Sequence, residues 1–206
     1  MKTWEKLREN PKLWDQYFVR ERILRAIRSF FESRGFHEVE TPILIANPPA
    51  ESYVDVFETT LFDRNRKSQK AYLSTSPEVP LKKLMVAGLG NCYAITKSFR
   101  NMETQSKLHN PEFTILEWYR VGANYMDITR DCEQLLLSIT GSLSYQGKTI
   151  DLSAPWERLT VAEAFAKWAQ VNFDDFFINA KNIARQKGYR VEAKTTWEQL
   201  FNQIFL

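Results

Sequence analysis

Apolar and polar positions along this chain recur with two periods, and the switches between them predict its elements. From about Val19 to Arg34, Ile23, Leu24, Ile27, Phe30 and Phe31 fall on one helical face. Arg20, Arg22, Arg25, Arg28 and Arg34 lie mostly elsewhere, and Gly35 supplies a stop. Those arginines read as a solvated face rather than a nucleic-acid contact. Residues 1–18 are mixed polar and aromatic, a lead-in with at most a short helix. The stretch HEVETPIL (37–44) alternates briefly and meets Pro42, as a strand end or an edge strand does. Tyr53 to Phe62 alternates with period two, Asp63 to Gln69 is a polar turn, and Lys70 to Thr75 returns as the second arm of a hairpin.

Ser76-Pro77-Glu78 then opens a helix, with a Ser cap, Pro at the first helical position and an acid in the first turn. This helix is expected to reach about Ala87 and to stop at Gly88 and Gly90. Asn91 to Phe99 and Glu112 to Val121 read as strands joined by a charged loop over residues 100–111. Asp127 to Thr140 is helical, and residues 144–151 form a small hairpin around Gln146-Gly147. Thr160 and Glu163 make a capping box before a helix at Val161–Gln170, and a further helix covers 174–187 up to Gly188. Strands and helices do not alternate regularly. The expected fold is therefore α+β, a largely antiparallel sheet flanked by helices.

Composition narrows the function classes. The chain has 206 residues, 44% hydrophobic and 26% charged, which suits one globular domain. A net charge of +3 is too small for a non-specific polyanion binder. No apolar run approaches the roughly 20 residues that span a bilayer, and the opening MKTWEKLRENPKLW lacks the apolar core of a secretory signal. Cys92 and Cys132 stand far apart, as two reduced thiols of a cytoplasmic protein would. With only His37 and His109 besides, a Cys/His zinc site is excluded, and no metal ligand is assigned.

The candidate chemistry lies in TKSFRNMETQSKLHNPEFTILEWYRV (96–121). A polar loop carries Arg100, Glu103, His109 and Asn110, and Phe113, Glu117 and Tyr119 follow at even spacing, on one face of a strand. A carboxylate on a core face would be costly, so this face is expected to be open. An arginine at the base of a loop suits a bidentate grip on phosphate. An exposed aromatic suits stacking on a planar ring, and carboxylates suit a cationic substrate. The residues alone point to a site for a nucleotide and a positively charged small molecule, against the plainer reading of an ordinary loop.

These segments resemble the class II aminoacyl-tRNA synthetases. The pattern FRN…HNPEFT.LEWY is similar to motif 2 of the lysyl branch, over about 96–121. VETPIL behind a helix that ends at Gly35 is similar to motif 1, the dimer-forming element, over about 20–45. STSPEVPLKKLMVAG (74–88) resembles the segment between them. SPE, SFRN and HNPEFT.LEWYR most resemble the elongation factor P lysine ligases, lysyl-tRNA synthetase paralogues without the N-terminal anticodon-binding barrel. Only about 20 residues precede the motif 1 helix, so no such barrel is expected here and tRNA is an unlikely partner.

The resemblance implies the following roles. Arg100 contacts the ATP α-phosphate and stabilises charge as the adenylate forms. Asn101, Met102, Glu103, His109 and Asn110 line the nucleotide, and Phe113 stacks on the adenine. Ser76, Pro77 and Glu78 hold the amino acid, with Glu78 on its α-amino group, and Glu117 and Tyr119 meet its side-chain end. The usual motif 2 acid position is occupied by Met102, so Glu103 is expected to take that catalytic role. The implied reaction activates lysine or β-lysine with ATP and Mg2+ and passes it to a lysine of elongation factor P, in a cytoplasmic homodimer with no membrane association. The alternatives are a lysyl-tRNA synthetase fragment or a non-catalytic dimerising or ligand-binding paralogue.

Motif 3 is not found after residue 121, and the magnesium ligands are expected beyond this sequence. The last segment, TTWEQLFNQIFL, has helical apolar spacing at Trp197, Leu200, Phe201, Ile204 and Phe205 and ends without a cap. The expectation is an interrupted sequence with an open sheet edge and an unpartnered helix face, which folds poorly in isolation and leaves lysine unactivated.

Overall fold

The computed structural model describes residues 3–51, 54–102 and 108–205. The chain packs as two compact units, Met1–Ala154 and Pro155–Leu206.

The first unit begins with α1 (Thr3–Glu9), a short 3-10 turn (Pro11–Leu13) and α2 (Trp14–Glu32). Helix α2 starts five residues before the periodicity suggests, because the 3-10 turn leads straight into it. It ends as expected: Gly35 takes φ 72°, which an L side chain resists, and the Phe36 N–H reaches back to the Phe31 carbonyl at 3.1 Å.

The central sheet holds β1 (His37–Glu38), β5 (Cys92–Phe99) and β6 (Glu112–Tyr119) in the order β1-β5-β6. β5 and β6 pair antiparallel over their full length, whereas β1 lies parallel to β5. That parallel pair departs from the antiparallel expectation. A second sheet, fully antiparallel, has the order β2-β4-β3, with β2 (Leu44–Ile45), β3 (Glu58–Phe62) and β4 (Ser68–Leu73). Pro42 falls between β1 and β2, so HEVETPIL forms two short strands in different sheets instead of one. The hairpin expected from Tyr53 to Thr75 is present, with Glu58–Phe62 paired to Ser68–Tyr72; Tyr53 lies outside the described residues. Helix α3 (Glu78–Val86) follows, then α4 (Tyr125–Ile139), and the hairpin of β7 (Ser142–Tyr145) and β8 (Lys148–Asp151) closes the unit. Asn124 and Asp127 form a reciprocal capping box that starts α4.

The main core lies between the central sheet and helices α2 and α4. Phe31 is fully buried and stacks on Tyr93 with centroids 4.6 Å apart. Ile27, Phe30, Phe36 and Leu135 surround it, with Ile95, Leu116 and Trp118 from the sheet. Two polar contacts clip this core. Arg28 binds the Glu38 carboxylate at 2.9 and 3.1 Å, and the Tyr93 hydroxyl donates to the same carboxylate at 2.9 Å. Arg120 grips the buried Asp131 at 2.6 and 2.9 Å.

The second unit holds α5 (Val161–Ala164), a π-helical turn (Phe165–Ala169), α6 (Phe173–Gln186) and α7 (Trp197–Phe205). The Thr160–Glu163 capping box is present, but its helix turns π-helical at Phe165 and stops at Gln170, φ 52°. The α7 face expected to lack a partner has one. Leu200 is fully buried with Phe165 and Phe176, and Phe201 stacks on Phe165 at 5.4 Å. The correction has a simple cause: α6 presents a complementary apolar stripe that the periodicity of α7 alone does not reveal.

Candidate functional site

The site is built on the face of β5–β6 turned away from the main core. Strand register sets Cys92 opposite Tyr119, Ala94 opposite Glu117 and Ser98 opposite Phe113. β5 contributes only small side chains at these three positions, all fully buried, so the larger β6 side chains stand over them. At the Tyr119 end the face is covered: α3 packs Leu81 and Met85 against Cys92, Ala94 and the Tyr119 ring. The expectation of an open face throughout is corrected there, because α3 returns across the sheet.

At the other end stands Arg100, the first residue after β5. Its N–H donates to the Pro111 carbonyl at 3.0 Å, tying together the two ends of the loop. Its guanidinium carbon sits 5.3 Å from the centroid of the Phe113 ring. The Arg100 Nε and the Ser98 Oγ are buried without a hydrogen-bond partner among the described residues. A buried polar atom left unmet costs about 1–3 kcal/mol, a cost that functional sites carry more often than cores do. A guanidinium with no ion pair among the described residues, set against an aromatic face, fits a phosphate and a planar base.

The Asn101 N–H donates to the Asp55 carbonyl at 2.8 Å, and the Asn101 Oδ1 accepts from the Met102 N–H at 2.9 Å. Met102 adopts φ 63° with its side chain in solvent, and His109 and Asn110 are exposed on the far arm of the loop. Glu103 lies outside the described residues.

The third part of the site is anionic. The Ser76 Oγ accepts from the Glu78 N–H at 3.2 Å, but the helix begins at Glu78 with Pro77, not Ser76, in the cap position, one residue later than the sequence suggests. Pro77, the residue before the helix, is fully buried and presents nothing to a ligand. Glu78 pairs with Lys82 one turn on. The Tyr119 hydroxyl donates to Glu117 Oε1 at 2.7 Å. Burial pushes the Glu117 carboxyl above its usual range; the Tyr119 bond and Lys82 oppose this, while the charges of Glu78 and Glu51 add to it. Burial, followed by the bond to Glu117, also drives the Tyr119 phenol upward.

Glu51 is the member of this group that the sequence did not reveal. Its Oε1 accepts from the Thr75 hydroxyl at 3.1 Å, across 24 residues of chain. With Ser74, Ser76 and Glu78 it lines a cleft of about 710 Å³. An acid within the polar stretch ANPPAES carries no periodic signal, so only the long-range contact exposes it.

Among the described residues no three His, Cys, Asp or Glu side chains gather as a metal site would require. No described helix is long and apolar enough to cross a membrane. Burial pushes the thiols of Cys92 and Cys132 up, away from reactivity.

Comparison with known proteins identifies the family. The family model for tRNA synthetases class II (D, K and N) matches residues 2–205. The chain belongs to this family. Within it, the chain is 33% identical to the lysine–tRNA ligase of Carboxydothermus hydrogenoformans over 206 residues, covering 95% of the chain and 41% of the relative. It is 35% identical to the lysine–tRNA ligase of Moorella thermoacetica over the same length, again 95% of the chain and 41% of the relative. The chain thus spans about two-fifths of the length of these relatives. The class II match runs through both packing units, and the mixed helices and sheets are those of an α+β synthetase domain.

Proposed function

We propose that this chain forms the amino-acid and nucleotide site of an enzyme that activates lysine, or β-lysine, with ATP. One observation carries the reading. Phe113, Glu117 and Tyr119 occupy a single face of β6, with Arg100 over Phe113 at one end and Glu78 behind Tyr119 at the other. A group suited to a base and phosphate and a group suited to ammonium therefore lie along one surface. The amino acid's carboxylate oxygen attacks the α-phosphorus of ATP, the bond to the bridging oxygen breaks, and pyrophosphate leaves. Arg100 balances charge on that phosphorus, Phe113 stacks on the base, Glu78 and Ser76 orient the α-amino end, and Glu117 with Tyr119 receives the distal ammonium. Asn101, Met102, Glu103, His109 and Asn110 belong to the loop over the nucleotide. Magnesium would neutralise the phosphates; the described residues offer it no ligand set.

The acceptor we favour is the ε-amino group of a lysine on elongation factor P, in the cytoplasm, by a homodimer joined through α2 and β1. The SPE, SFRN and HNPEFT segments support this. The amine attacks the acyl carbon, an amide forms, and AMP leaves. A second reading, transfer to tRNA, is favoured by the two relatives being lysine–tRNA ligases. The test is lysine-dependent exchange of pyrophosphate into ATP by the whole protein, followed by transfer of labelled lysine to elongation factor P or to lysine tRNA. Exchange with label on elongation factor P alone supports the first reading, and label on tRNA alone the second. Binding of ATP and lysine without exchange would leave a non-catalytic paralogue.

A further inference from the structure

We infer that Glu51 is a substrate-binding residue of this site, which grips together with Glu78 the ammonium group nearest the reacting carboxylate.

The inference rests on the lysine-activation reading and on three further observations. First, Glu51 lines the same cleft as Ser74, Ser76 and Glu78. Second, its orientation is fixed from below. Thr75 is fully buried, and its hydroxyl donates to Glu51 Oε1, leaving Glu51 Oε2 for a further donor. A carboxylate held by one hydrogen bond loses less side-chain freedom on binding a cation than one that swings free. Third, the charges do not balance. Glu78 is paired with Lys82, and Glu117 accepts from Tyr119, but Glu51 makes no ion pair among the described residues. Among the residues lining the cleft, Glu51 and Glu78 face one lysine, Lys83, so the cleft is one negative charge in excess. The α-ammonium of the amino acid carries the compensating positive charge. Sharing a cleft with Glu78, and not with Glu117, assigns Glu51 to the near ammonium.

The experiment uses Glu51→Gln in the whole protein, which keeps the Thr75 bond but removes the charge, and Thr75→Val, which keeps the charge but frees it. KM for L-lysine and kcat are read by pyrophosphate exchange. The Ki of 6-aminohexanoate, a lysine without its α-ammonium, is read as inhibitor. Loss of one charge-assisted contact should raise KM for lysine about tenfold in Glu51→Gln, with kcat changed less than about twofold. The Ki of 6-aminohexanoate should not move. Thr75→Val should raise KM in the same direction by less. An unchanged KM for lysine in Glu51→Gln overturns the inference while leaving lysine activation intact, as does an equal rise in the 6-aminohexanoate Ki. No lysine-dependent exchange by the unaltered protein would overturn both.

Discussion

The two faces of β5–β6 carry opposite kinds of chemistry on the same backbone. One face sets Tyr93, Ile95, Leu116 and Trp118 against Phe30 and Phe31 of α2, an aromatic core in which the Trp118 Nε1 is the one side-chain polar atom buried without a partner among the described residues. The other sets Cys92, Ala94 and Ser98 beneath Phe113, Glu117 and Tyr119, with an ionisable group and two unmet polar atoms near its open end. Side chains alternate along a strand, so adjacent residues such as Glu117 and Trp118 serve different purposes less than a nanometre apart. The comparison teaches that stability and site can be changed nearly independently in this ribbon. The core face holds the strands rigid, and the site face uses that rigidity to fix groups that do not themselves stabilise the fold.

Phe31→Ala should show the largest effect, and on the core face alone. Removing a fully buried ring that stacks on Tyr93 is expected to cost about 3–5 kcal/mol, read from the urea midpoint. Arg100→Ala should do the reverse. Pyrophosphate exchange should fall about 100- to 1,000-fold with little change in melting temperature, because the guanidinium makes no ion pair among the described residues. A melting temperature that falls as far as in Phe31→Ala would break the separation of the faces. Phe113→Leu is smaller: loss of base stacking should raise KM for ATP about tenfold, with kcat nearly kept.

Glu117→Gln sharpens the contrast through pH. Burial raises the folded value of this carboxyl above the unfolded one, so the stability it confers is present at low pH and is lost as pH rises through the folded value. The glutamine variant escapes that loss. It should melt higher than the unaltered protein at pH 7, with the gap closing below about pH 4, while discriminating less between lysine and norleucine. Glu38 on the opposite side behaves with the opposite sign. Its bond from Arg28 holds the carboxyl below its usual range, so its stabilisation is full above about pH 4 and fades as pH falls through the folded value. Arg28→Met should therefore lower stability slightly at pH 7 and hardly at all near pH 2. A constant difference across the range would mean that packing, not charge, carries the contact.

The elements that local sequence settles are those whose cause is local. The α2 stripe and its Gly35 stop, the Thr160 capping box and the alternation from Glu112 to Tyr119 all appear where periodicity and cap chemistry place them. So does the shared face of Phe113, Glu117 and Tyr119, because the side-chain period of a strand is two whatever surrounds it. Motif 2 spacing pointed to the class II family for the same reason, as its residues lie within one hairpin. Three features depended on tertiary structure. β1 runs parallel to β5 with partners 55 residues apart in the chain, His37 beside Cys92 and Glu38 beside Tyr93. Glu51 meets Thr75 from another segment, and α7 finds its cover in α6 and Phe165. Each joins groups that no helical or strand period connects. Such pairings are selected by packing of the assembled unit, which outweighs the entropy of closing the intervening loop, and not by any pattern within the segments themselves.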